Sequence, residues 1–175
     1  MVPQKLRRRL ALFAVALTTI TTGVLVTAAP AQAAECNNQF TFASLANGKL
    51  VSAEYSASGN MYGFLRARAD KAGPWEKFTL CKHTNYFTIQ SNHTGLYVSV
   101  ELSHPTYNGV LRARASAVGP WERLSKENIG NGWHYVLSSQ ANNKYVSAEV
   151  DWSGSVKGLL RARAESKGNW EVFGL

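Results

Sequence analysis

Cysteine is almost missing from this sequence: Cys36 and Cys81 are its two copies among 175 residues, which argues against a metal or redox centre built on thiols. Histidine is as sparse, and His83, His93, His104 and His134 fall at non-equivalent positions without metal-ligand spacing. Neither a nucleophile elbow nor a phosphate-binding glycine loop is present, so hydrolytic and nucleotide chemistry have no recognisable carrier. Helical periodicity is lacking throughout, which points to an all-β chain. Long hydrophobic runs are lacking too, apart from residues 10–26, a stretch thinned by threonines and short for a membrane span.

That run belongs to an expected leader. Lys5, Arg7, Arg8 and Arg9 precede it, and Ala31-Gln32-Ala33 follows as a small-residue cleavage site. Residues 1–33 therefore read as a cleaved signal peptide, with an uncleaved anchor as the alternative, and residues 34–175 as one secreted, extracellular domain. The arginines do not separate twin-arginine from general export. Cleavage removes 4 of the 19 basic residues and none of the 11 acidic ones, leaving a net charge of +4 and a weak case for nucleic acid. In an oxidising compartment Cys36 and Cys81 are expected to close a disulfide across about 45 residues.

What the chain does have is a phrase written three times. Leu65-Arg66-Ala67-Arg68-Ala69 leads to Gly73-Pro74-Trp75-Glu76; Leu111-Arg112-Ala113-Arg114-Ala115 leads to Gly119-Pro120-Trp121-Glu122; Leu160-Arg161-Ala162-Arg163-Ala164 leads to Gly168-Asn169-Trp170-Glu171. Ahead of each stands Val51-Ser52-Ala53-Glu54, Val98-Ser99-Val100-Glu101 or Val146-Ser147-Ala148-Glu149. The glutamates recur at separations of 47 and 48 residues, which marks an internal triplication over about 39–83, 84–130 and 131–175. Each copy reads as four short strands (in the first 40–45, 49–54, 65–69 and 75–80) joined by Gly and Asn turns. Twelve strands in units too small to stand alone predict a β-trefoil closed about a pseudo-threefold axis, with a three-bladed array as the alternative. The loops at 55–64, 102–110 and 150–159 vary in sequence, while the frame around them is fixed.

Strand alternation assigns candidate roles. If Phe78, Leu124 and Phe173 face the core, Glu76, Glu122 and Glu171 share their side, and Trp75, Trp121 and Trp170 face outward. An outward indole flanked by Glu54, Glu101 or Glu149 and by Arg68, Arg114 or Arg163 suits carbohydrate: sugar faces stack on the ring, and the charged groups hydrogen-bond hydroxyl pairs. The alternative is structural, with indoles plugging the barrel ends and each glutamate neutralised by its arginine inside the fold. A third possibility is a basic surface for acidic glycans on Arg66, Arg112 and Arg161. Trp152, in a variable loop, is open to either contact with a ligand or packing on its own loop, and Trp133 lies outside the repeated phrase. Gly73, Gly119 and Gly168 are read as turn residues.

These phrases resemble the fascin-like domains, a β-trefoil group, over residues 39–175. The chain is also similar to a β-trefoil carbohydrate-binding-module family that carries one Trp and Glu site per repeat and binds β-1,3- and β-1,6-glucans. The resemblance implies a non-catalytic, lectin-like protein with β-glucan-class polysaccharide as partner, sites at Trp75, Trp121 and Trp170 with Glu54, Glu101 and Glu149, and no cofactor or metal. Actin, the partner of the group's eukaryotic members, is not expected for an exported protein. Asn169, Val100 and Leu124 depart from the family phrase and place the third turn and the packing of individual sites in question. The alternative function is a protein-interaction or inhibitor module acting through the variable loops.

Overall fold

The structure, a computed structural model, describes residues 34–56, 61–130 and 132–174, all within one compact unit, Gln32–Leu175. The expected leader, residues 1–33, lies outside the described residues. Thirteen strands follow one another: β1 Glu35–Phe40, β2 Ala43–Ser44, β3 Lys49–Ala53, β4 Leu65–Ala69, β5 Phe78–Lys82, β6 Phe87–Ser91, β7 Tyr97–Glu101, β8 Val110–Ala115, β9 Leu124–Ile129, β10 His134–Ser139, β11 Tyr145–Glu149, β12 Leu159–Ala164 and β13 Val172–Gly174. All pairings among them are antiparallel.

The thirteenth strand arises at the start. β6 pairs with β5, β7 and β9, and β10 with β9, β11 and β13, each as one continuous strand. The corresponding stretch of the first copy is broken: β1 pairs with β5 through a register shift between Asn37 and Phe40, and β2 turns to β13 and β3. Phe40 and Phe42, two residues apart on the inward face, stack at 5.3 Å across the break. They hold the two pieces to one core.

That core gathers the inward positions of all three copies. Val51, Val98 and Val146 pair with Ala67, Ala113 and Ala162 from strand to strand. Phe42 meets Phe78 and Phe173 edge-on at 5.6 and 5.8 Å. Phe78, Leu124 and Phe173 are fully buried, which meets the condition on which the strand alternation is read.

Three hairpins, β3–β4, β7–β8 and β11–β12, close one end of the molecule in cyclic order. Phe64 bridges to Arg112, Val110 pairs with Arg161, and Leu159 pairs with Arg66. Phe64, Val110 and Leu159 form a second buried cluster there, roofed by Met61, Tyr107 and Trp152. Just before each lies a glycine whose carbonyl takes the next copy's backbone N–H: Gly63 from Ala113 at 2.8 Å, Gly109 from Ala162 at 2.7 Å and Gly158 from Ala67 at 2.7 Å.

One expectation is corrected. The fourth strand of each copy does not begin at tryptophan; Pro74–Glu76, Pro120–Glu122 and Asn169–Glu171 are single 3-10 turns, and the strand starts after them. Proline presets φ and lacks the N–H a ladder needs. The acid closes the turn, because Glu76, Glu122 and Glu171 accept the backbone N–H of Gly73, Gly119 and Gly168 at 2.7, 2.7 and 2.8 Å. Asn169 in the third copy gives the same turn, so this carboxylate contact suffices without proline.

Candidate functional site

Each repeated glutamate ends or follows the first strand of a closing hairpin, and two arginines of the second strand reach it from the same face. Glu54 receives Arg68 directly and Arg66 at 3.8 Å; Glu101 receives Arg114 at 2.7 Å and Arg112 at 3.5 Å; Glu149 receives Arg161 at 3.5 Å and a bidentate Arg163, whose second bond is 2.8 Å. All three carboxylates are buried beneath their arginines. A buried acid held by two guanidiniums has its charge matched in place, and one positive charge per copy is left over.

The two arginines of a pair differ in duty. Arg66, Arg112 and Arg161 cross into the preceding copy in the cycle, where Nε donates to the carbonyls of Lys157 at 3.0 Å, Tyr62 at 2.6 Å and Asn108 at 3.0 Å. They fasten repeat to repeat and present little surface. Burial lowers the pKa of Arg66 and Arg161, against the pull of their glutamates, while the bond from Glu149 raises that of Arg163. Arg68, Arg114 and Arg163 remain open to solvent, Arg114 most of all at 58% of its side chain against 36% and 39% for the others.

The three indoles stand on the 3-10 turns with their following glutamates buried below, and they are not alike. Trp121 is 57% exposed. It borders a cleft of about 360 Å³ whose other walls are Glu101, Arg114 and the loop Leu102, Ser103, His104 and Pro105. His104 stiffens that loop: its Nδ1 accepts the N–H of Thr106 at 3.3 Å and of Tyr107 at 3.0 Å, and its ring stacks on Tyr107 at 5.4 Å. Trp75 is half-buried against Tyr55 at 6.2 Å and His93 at 6.4 Å, with Tyr55 held by Tyr62 and by a bond to Thr94 at 3.1 Å. Trp170 is half-buried beside a hollow of about 330 Å³ lined by Leu45, Ala46, Asn169 and Val172.

Among the residues left open by sequence, Trp152 packs under Arg161 at 5.4 Å and against Tyr107 at 5.9 Å, and Trp133 is exposed. Cys36 and Cys81 are joined, across the paired strands β1 and β5. No cluster of three or more His, Cys, Asp or Glu that could hold a metal ion occurs among the described residues. The glycines Gly63, Gly109 and Gly158 were hidden at the ends of loops that differ in sequence; the signal for them was a glycine one residue before the apolar pair in all three copies.

No family model and no curated protein matches the chain. Solved structures do. The designed threefold-symmetric protein ThreeFoil matches over 79% of this chain and 97% of its own, with a TM-score of 0.65 at 16% identity. An exo-β-1,3-galactanase from Clostridium thermocellum matches over 79% of this chain but 30% of the enzyme, with a TM-score of 0.64 at 16% identity. The BEL β-trefoil matches over 78% of this chain and 90% of its own, with a TM-score of 0.61 at 12% identity. At these identities the likeness is one of fold, and with the cyclic hairpin closure it shows this chain to be folded as a β-trefoil.

Proposed function

We propose that the protein is a secreted, non-catalytic carbohydrate-binding domain of the fascin-like kind, taking β-glucan-type polysaccharide with the repeat-2 cleft as its principal site. The observation that carries this reading is the exposed face of Trp121 beside the Glu101–Arg114 pair. The indole offers a flat apolar surface to a sugar ring, and the outward guanidinium offers donors to hydroxyls at its edge. Trp75 with Arg68 and Trp170 with Arg163 serve as weaker subsites, so affinity on a polymer comes from several contacts on one chain. Two structural neighbours are carbohydrate-acting enzymes by name, the exo-β-1,3-galactanase and a GlcNAcα1-4Gal-releasing endo-β-galactosidase, and this chain covers 30% and 32% of their lengths. The disulfide suits the oxidising compartment to which a cleaved leader at residues 1–33 would deliver it.

Retention on insoluble β-1,3-glucan, β-1,6-glucan, chitin and cellulose, at low and high salt, tests the reading. Salt-resistant binding to a glucan is expected. Trp121→Ala is expected to weaken it about tenfold, near 1.4 kcal/mol, with the far-ultraviolet spectrum and Tm kept, and Trp75→Ala and Trp170→Ala less. Undiminished retention in the Trp121 variant, or unfolding of it, would overturn the assignment.

A further inference from the structure

A second hollow, of about 270 Å³, lies where the third copy meets the first, between β4 and the turn at Gly154; Lys49, Arg66, Arg68 and Lys157 line it with Asn47. Four cations stand here against two carboxylates. Glu54 is buried beneath the arginines, and Asp70, on Lys49, points into water with 78% of its side chain exposed. Arg68 has Nε on Glu54 and no other protein partner among the described residues, and Lys157 has no carboxylate partner among them. The approximate threefold makes the comparison with the other junctions direct. At the second junction Leu96 and Tyr62 replace the two lysines, and at the third Asn108 replaces Lys157. An excess of two positive charges is therefore particular to this junction, the other two having one. Burial lowers the pKa of Arg66, Glu54 raises it and the like charge of Arg68 lowers it, and an incoming anion would offset that like-charge repulsion.

We infer that this hollow is a site for the anionic group of an acidic polysaccharide, a carboxylate or a sulfate or phosphate ester, distinct from the Trp121 cleft. A fork of guanidinium nitrogens and a nearby ammonium match the oxygens of such a group, and the open mouth admits a substituent carried on a chain. Arg66 is unsuited as a probe because it fastens two repeats. Lys157 is suited: its carbonyl holds Arg66 whatever its side chain, and that side chain is exposed.

The experiment is titration of the protein with dextran sulfate, polygalacturonate, unmodified dextran and a DNA duplex at low salt, using Lys157→Gln, Lys157→Arg, Trp121→Ala and the exposed control Lys71→Gln. Expected are binding to both acidic polymers and not to dextran, about fivefold weaker in Lys157→Gln and kept in Lys157→Arg, and lost as salt shortens the reach of the charges. Trp121→Ala should leave it intact, so this site and the proposed glucan cleft can fail separately. Equal loss in Lys71→Gln would reduce the effect to net charge and overturn the site. DNA binding of the same strength and the same sensitivity to Lys157 would overturn the saccharide assignment, and loss in Trp121→Ala would merge the two sites.

Discussion

Tyr135 places a phenol in the core, and its hydroxyl is buried with no hydrogen-bond partner among the described residues. Its ring meets Phe40 and Phe173, and Lys126 caps it at 4.7 Å. Burial raises its pKa far above the ordinary tyrosine value of about 10. The folded pKa is raised, so the stability tied to this group is complete below about pH 10 and falls as pH climbs past it, where the unfolded chain ionises and the folded one does not. Tyr135→Phe is expected to hold or slightly raise Tm at neutral pH and to widen its advantage at alkaline pH; a loss of about 1 kcal/mol at neutral pH would reveal a partner for the hydroxyl. The repeated Glu and Arg, by contrast, are partnered, and the sequence named both of their possible uses. That Arg68, Arg114 and Arg163 sit on buried Glu54, Glu101 and Glu149 was legible as a pairing, because strand alternation puts like residues on one face. That Arg66, Arg112 and Arg161 would reach into a neighbouring repeat was not, since no local pattern states what lies across a threefold junction.

Among the elements, the closing hairpins depend on three glycines at φ +80°, +80° and +75°. A Cβ at Gly158 would stand 2.4 Å from the carbonyl oxygen of Ala67, whereas one at Gly48, also at positive φ, would meet nothing within 4 Å. Gly48→Ala therefore carries only the left-handed backbone cost, about 1 kcal/mol. Gly158→Ala adds a backbone collision and is expected to cost at least twice as much, on the order of 2 kcal/mol or more. Urea midpoints of the two variants compare them directly, and equal costs would mean that the hairpin shifts to make room. The 3-10 turns give the complementary lesson. Gly73, Gly119 and Gly168 have extended backbone at φ −115°, −121° and −136°, and glycine is favoured there because the carboxylate of the following glutamate lies 3.0 to 3.1 Å from where a Cβ would be. Expecting strands at the tryptophans missed these turns; the glutamates Glu76, Glu122 and Glu171 are buried, while of the indoles Trp121 is exposed and Trp75 and Trp170 are half-buried.

At the scale of the molecule, the disulfide holds β1, an exposed strand with one buried residue, to the body of the first copy. Closing a loop of 45 residues in sequence is worth about 4 kcal/mol in the chain-entropy account. Replacing both cysteines with serine should lower Tm markedly while β3 to β13 keep their fold, and an unchanged Tm would show that β1 adds nothing the rest lacks. The sequence by itself determined the β-rich character, the triplicated phrase and the cysteine pair, because all of these are periodic or local. Tertiary structure alone decided that three closely similar phrases yield unlike surfaces. Tyr55 and His93 pack on Trp75, the His104 loop leaves Trp121 open beside a cleft, and Lys157 and Lys49 line one hollow where the third copy meets the first. Each of those neighbours comes from a variable loop or another repeat, and only closure about the axis brings it within reach.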